Sequence, residues 1–175
     1  MLDPALVLRA YREGIFPMAL EDGEIGWFSP DPRGIIPLDT FHIPARLARV
    51  VRQARFEVTV DREFEGVMRA CAERPDDGTW ISADILETYV TLHRLGIAHS
   101  VEVRRDGRLV GGLYGVHLGG AFFGESMFHR ELEVFCPKPS TATPASASAS
   151  PRVRVRLSGV SRFEKKWPVR LAKTG

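Results

Sequence analysis

The sequence predicts a mixed α/β (α+β) fold, and three observations carry that prediction. From residue 41 onward the patterning runs helix, strand, helix, helix and then three antiparallel strands. Two turn signals, Asp106-Gly107 and Gly119-Gly120, divide the last three segments into a meander. No apolar run approaches the ~20 residues that span a bilayer, so no membrane segment is expected.

Each element follows from its own residues. PALVLRAYREGIF (4–16) has Leu6, Leu8, Ala10 and Tyr11 at helical spacing, with Gly14 as a stop. The Pro- and Gly-rich stretch from Ile15 to Asp39 reads as turns and short extended pieces. FHIPARLARVVRQARF (41–56) reads as a helix. Pro44 suits a first turn, and Leu47, Val50, Val51 and Ala54 make one apolar face. FEVTVD (56–61) alternates and is β-branched, as a strand should be. Asp61 is then placed to cap a helix over REFEGVMRACAE (62–73). PDDGTWIS is a loop, and ADILETYVTLHRLG (83–96) is an amphipathic helix closed by Gly96. HSVEVRR, RLVGGLYGVHL and AFFGESMF are the meander strands.

Composition bounds the class. Hydrophobic content of 44% and charged content of 26% are those of a soluble globular protein. The acid at position 3 and the lack of a long apolar core argue against a signal peptide. Cys71 and Cys136 have no partner spacing and read as thiols in a reducing compartment, so a cytoplasmic protein is expected. Charge is uneven along the chain. Residues 1–130 carry a net charge of −4 without one lysine, whereas residues 131–175 carry +6 and all four lysines. That last segment contains alternating Ala-Ser and then alternating Arg-Val, which predicts a low-complexity, disordered basic tail.

Few residues point to chemistry by themselves. Glu125 is a carboxylate inside the apolar run AFFGESMF. Buried there, it could read a cationic amine or move a proton; on an edge strand it could equally face solvent. Leu113, Phe122 and Met127 could line a pocket for an aliphatic or aromatic group, though such residues are more often core. The glycines between 111 and 124 mark either close approach of a ligand or simple turns and packing, and packing is the commoner case. Trp80 and Trp27 sit in loops, where tryptophan can stack a base but often plugs a core. Arg46, Arg49, Arg52 and Arg55 recur every third residue on one helix, as either a phosphate-facing stripe or a solvated face. The five histidines lack metal spacing, and neither a nucleophile elbow nor a P-loop is present.

Several segments together resemble the leucyl/phenylalanyl-tRNA–protein transferase family: YREGIFPM, GWFSPDPRGIIPL, FHIPARLAR, FEVTVDREFEGVMRACA, GTWI, LHRLGIAHSVEV, DGRLVGGLYGV and FFGESMF. The resemblance runs from about residue 4 to 130. It implies transfer of Leu, Phe or Met from aminoacyl-tRNA to the N-terminal Arg or Lys of an acceptor protein, marking it for N-end-rule degradation. It implies a small N-terminal domain (1–35) and a GNAT-like acyltransferase domain (36–130), acting as a monomer without metal or coenzyme. The acceptor amine attacks an ester that is already activated, so positioning and proton removal are the catalyst's tasks. By motif, Leu113, Phe122 and Met127 match the apolar side-chain pocket, and Glu125 matches an active-site glutamate. Tyr11 and Trp80 match aromatic positions near the aminoacyl-adenosine. The arginine helix matches one that faces tRNA. Met18 stands where many members have Trp.

The family pattern breaks after GESMF. A segment like SRxxxASKxAL and a strand with a catalytic Asp-x-Gln motif are expected there, yet residues 131–175 contain neither Asp nor Gln. The change in lysine use at the same point predicts a reading-frame shift, a C-terminally incomplete domain and an impaired transferase. A sheet that ends after GESMF would leave an edge and an apolar face uncovered, with poor stability. Two other functions are consistent with these residues. One is a non-catalytic RNA-binding remnant that uses the arginine helix. The other is a CoA-dependent acyltransferase, for which the sequence lacks the Q/RxxGxG/A pyrophosphate loop.

Overall fold

The computed structural model describes residues 1–73, 78–131 and 170–171. Apart from Glu131 and the pair Arg170–Leu171, the expected tail lies outside the described residues, as does Cys136.

The chain opens with α1 (Pro4–Arg12). The Asp3 carboxylate accepts from the Ala5 amide at 2.9 Å, and proline fills the first turn. Val7 and Tyr11, four residues apart, turn inward. The next stretch departs from expectation: β1 (Phe16–Ala19) and β2 (Ile25–Ser29) pair as an antiparallel hairpin with Met18 opposite Gly26. Pro17 and Ala19 are buried on one face of the hairpin and Gly26 and Phe28 on the other, but four-residue alternation interrupted by proline is too short a signal to read as a strand. Proline is tolerated because β1 is an edge.

Helix α2 (Ala45–Arg52) forms where expected, with Pro44 as its N-cap residue rather than inside the first turn. None of its residues is buried, and Val51 is 68% exposed. Of the apolar face read from the sequence, Leu47, Val51 and Ala54 are exposed and Val50 is half-buried. Strand β3 (Glu57–Val60) leads to α3 (Phe64–Ala72). Asp61 does not cap α3. Its backbone turns left-handed (φ 58°), and its carboxylate accepts from Ser100 N at 2.9 Å and pairs with His99. The helix start is served instead by Glu102, whose Oε1 accepts from Glu63 N at 3.3 Å. Helix α4 (Ala83–Arg94) is capped by Ser82, which accepts from Ile85 N, and buries Ile85, Thr88, Tyr89 and Leu92.

The meander is β4 (Ala98–Arg105), β5 (Arg108–Leu118) and β6 (Ala121–His129). Asp106 (φ 51°) and Gly107 (φ 74°) take the paired left-handed conformations of a tight hairpin turn. The main sheet is ordered β3-β4-β5-β6, all antiparallel, with β6 at an edge. Arg170–Leu171 form a short β7 beside β2 in the second sheet.

Helices α3 and α4 cover one face of the main sheet. Phe64, Val67, Met68, Ile85, Tyr89, Leu92, Tyr114 and Val116 pack there, and Val7, Tyr11 and Ala19 join the same cluster. Tyr114 is edge-on to Tyr89 and Phe64, at 5.8 and 6.0 Å between ring centres. The opposite face is open: Val60, Val101, Leu113 and Met127 form a row across all four strands, with Met127 59% exposed.

Candidate functional site

The register of β5 with β6 locates the site. Tyr114 pairs with Ser126, but the next residue, Gly115, pairs with Gly124. Glu125 is thus the extra residue of a β-bulge. Bulges re-aim a side chain and are common next to functional sites. Here the bulge brings Glu125 to the covered side, against Tyr11 and Tyr89.

The electrostatics follow from that position. Burial lifts the Glu125 carboxyl to about 7, opposed by the Tyr11 hydrogen bond and by the positive charge of Arg33. Of the two readings open in the sequence, the buried carboxylate is the one that forms. The Tyr11 hydroxyl lies 2.6 Å from that of Tyr89. Burial and the Glu125 charge push Tyr11 well above its ordinary value, so it stays protonated and donates. A Tyr89–Tyr11–Glu125 chain of hydroxyls and carboxyl results. Phe123 closes over Tyr11 edge-on at 5.3 Å, and the Arg33 guanidinium sits 5.8 Å from the centre of the Phe123 ring. Arg33 also donates to the Gly14 carbonyl, which ties the loop after β2 to this corner. Such a carboxyl, half-protonated at neutral pH, can hold or release a proton at little cost.

The apolar candidates lie on the other side of the same strands. Leu113 and Met127 are cross-strand partners on the open face. The ring of Phe122 lies over Gly115, where a Cβ would come within 2.6 Å of it. Gly124, the partner of Gly115, has open space at the equivalent position. Gly124 therefore leaves a small clear patch of backbone, bordered by Leu113, Met127 and the Phe122 ring that covers Gly115. Gly112, by contrast, is closely packed under Phe128 and Val67, as the packing reading supposed.

The remaining candidates lie elsewhere. Tyr11 is buried, with its hydroxyl committed to Glu125 and Tyr89. Met18 is half-buried on β1, and the carbonyl of the half-buried Trp80 accepts from Ala19 N at 3.0 Å. Arg46, Arg49, Arg52 and Arg55 are all exposed on or just after α2. Sequence reasoning missed Arg33, Tyr89 and the Asp61–His99 pair. Tyr89 looked like one more apolar position of α4, and Arg33 sits in a loop with no periodicity to mark it. Among the described residues, no group of three or more His, Cys, Asp or Glu is arranged to hold a metal ion. No helix among them is long and apolar enough to cross a membrane.

Comparison with known proteins agrees with this architecture. Residues 35–134 match the family model described as leucyl/phenylalanyl-tRNA protein transferase, and residues 1–31 match that of its N-terminal domain. A leucyl/phenylalanyl-tRNA–protein transferase from Gloeobacter violaceus is 57% identical over 130 residues, covering 74% of this chain and 66% of that protein. The protein of the same name from Rubrobacter xylanophilus is 53% identical over 130 residues, covering 74% and 67%. That of Gluconobacter oxydans is 57% identical over 135 residues, covering 74% and 60%. The chain thus spans about two-thirds or less of the length of these relatives, and it belongs to the leucyl/phenylalanyl-tRNA–protein transferase family.

Proposed function

We propose that this chain takes Leu, Phe or Met from an aminoacyl-tRNA and joins it to the N-terminal Arg or Lys of an acceptor protein, marking that protein for N-end-rule degradation. The observation that carries this reading is the bulge at Glu125. It turns a carboxyl with a value of about 7 to the covered side of β6, while the open face of the same strands carries Gly124 bordered by Leu113, Phe122 and Met127. The apolar border suits an unbranched or γ-branched aliphatic or aromatic side chain, and the clear space at Gly124 lets the ester approach the backbone. The four exposed arginines of the α2 region suit the tRNA phosphates.

The chemistry is aminolysis of an ester. The acceptor nitrogen attacks the aminoacyl carbonyl carbon, a C–N bond forms, and the ester C–O bond breaks. Glu125 takes a proton from the attacking nitrogen, and the tRNA oxygen receives it on leaving. Tyr11, held by Tyr89, keeps Glu125 in place, and Tyr11 and Arg33 stabilise its ionised form. The protein would act as a cytoplasmic monomer, with no coenzyme demanded by the reaction.

A transfer assay with labelled Leu-tRNA and an Arg-starting peptide tests the reading. Labelled peptide is expected at a reduced rate, because residues 131–175 contain neither Asp nor Gln to supply the Asp-x-Gln motif, and it should be absent when the peptide amine is acetylated. No transfer above a Glu125→Ala control would overturn the reading. If tRNA still binds without transfer, the chain is an RNA-binding module that uses α2. In either case Arg49→Ala should weaken tRNA binding and reduce its salt slope by about 1.

A further inference from the structure

A second titratable pair lies on the open face, outside the Glu125 network. His99 Nδ1 is 2.7 Å from Asp61 Oδ2, and both side chains are about one-third exposed. The other Asp61 oxygen accepts from Ser100 N at 2.9 Å, which fixes the carboxylate. Burial alone would raise the Asp61 carboxyl, but the hydrogen bonds from His99 and Ser100 N outweigh it and hold it below its ordinary value. Asp61 is therefore ionised at neutral pH. An ionised carboxylate at Nδ1 keeps the proton on that nitrogen and leaves Nε2 as the basic one.

The register places this pair in line with Gly115 and Gly124. His99 is the cross-strand partner of Gly115, and Gly115 is that of Gly124. Residues paired across strands share a face. The His117 ring, 6.1 Å from that of His99, and Phe122, the partner of His117, lie on the same face. The cross-strand row Gly124–Gly115–His99, with the Phe122 ring lying over Gly115, therefore ends at an oriented imidazole on β4. Its other end, two strand spacings or about 10 Å away, is the Gly124–Glu125 bulge.

The reaction proposed above needs two proton acceptors, and this inference rests on that reading. At neutral pH the acceptor is an ammonium. It must lose one proton before its lone pair can attack, and the nitrogen loses a second as the amide forms. One proton ends on the departing tRNA oxygen and the other in solvent. We propose that His99 Nε2 takes the first of these protons, from the acceptor's α-ammonium, and passes it to water. The second leaves on the departing tRNA oxygen. Asp61 is a positioning residue that sets the tautomer and ring plane of His99. The charged or titratable groups around the pair include His117 on β5, His93 on α4, the latter 3.8 Å from Asp61, and Arg62, Glu63, Glu65 and Arg94, which line the same pocket as Asp61.

Two measurements test this. The first is the titration of His99 followed by imidazole nitrogen NMR on the full chain, with an Arg-starting peptide. The free-amine peptide should lower the midpoint of His99, because it places a cation beside the ring, and the Nα-acetylated peptide should not. Equal effects, or none, overturn the proposal. The second is the pH profile of transfer. His99→Gln should lower kcat about 100-fold near pH 7, the low end for a general base. The deficit should shrink as pH rises, because the ammonium then ionises unaided. A residue that only supports the fold would lower the rate equally at every pH. Asp61→Asn keeps an acceptor for Ser100 N; it should move the acidic limb of the profile to lower pH. Absence of transfer by the unaltered chain would sink the transferase reading, while the NMR result would still decide the role of His99.

Discussion

The two faces of one sheet have different fates in this molecule. On the covered face, Tyr114, Val116 and Glu102 are fully buried under α3 and α4. On the open face, the row Val60–Val101–Leu113–Met127 is equally apolar, yet its two ends are exposed. Hydrophobicity alone does not separate the two faces; the helices do. The covered face holds the fold together. The open face keeps apolar surface available to a ligand, and that availability weakens stability. Exposed apolar patches of this kind mark binding sites or aggregation risks.

The strongest test of this contrast is a core truncation. Tyr114→Ala should cost about 3–5 kcal/mol, because it removes a fully buried ring and leaves a cavity. A denaturant titration checks it, and a loss under about 1 kcal/mol would break the contrast. Next in size is Glu125. Its folded value of about 7 stands above the ordinary 4.5. Its contribution to stability is therefore fully present below about pH 4.5 and lost as pH rises through 7. The difference is on the order of 3 kcal/mol. Glu125→Gln should remove this alkaline loss, so the variant should melt higher than the parent at pH 8 and about the same at pH 4.

The opposite sign holds for Glu102. Burial would raise its carboxyl, but donors from Ser100, Thr59 and the start of α3 outweigh that and hold it low. Its contribution is present above the ordinary value near 4.5 and lost as pH falls through the lowered one. Glu102→Gln should cost about 2 kcal/mol at pH 7, the scale of a hydrogen bond to a charged group, and less at pH 3. Thermal melts at the two pH values decide it; an equal cost at both would refute the assignment. The smallest effect belongs to the open face. Met127→Ala should change stability by less than about 0.5 kcal/mol, as for a surface site. It should still raise the KM for Leu-tRNA several-fold. A large stability loss would mean that Met127 is core after all.

Much of the fold is legible in local pattern. Helix α4 announces itself by Ser82, by inward residues three and four apart, and by Gly96. The meander does so through Asp106-Gly107 and alternation in β4 and β5. The β1–β2 hairpin is not legible, because its strands are short and Pro17 disguises one of them. Asp61 was misread as a helix cap, since a capping residue and a left-handed turn residue look alike in sequence. The bulge at Glu125 leaves no local trace at all. Register is a relation between two strands, and only the pairing of Gly115 with Gly124 exposes the extra residue.

The sequence by itself determined the order of elements from α2 onward, the lack of a long apolar run, the family, and the short set of residues from which a site could be built. Those properties are local, written in periodicity, turn residues and motifs. The tertiary structure alone decided that Glu125 is desolvated against Tyr11 and Tyr89, that Leu113, Phe122 and Met127 border the open space over Gly124, and that Asp61 orients His99. Each of these depends on which face of the sheet the helices cover and on how far one strand slips past the next. Burial and register arise from contacts between residues distant in sequence, and those contacts turn an ordinary glutamate into one that titrates near neutrality.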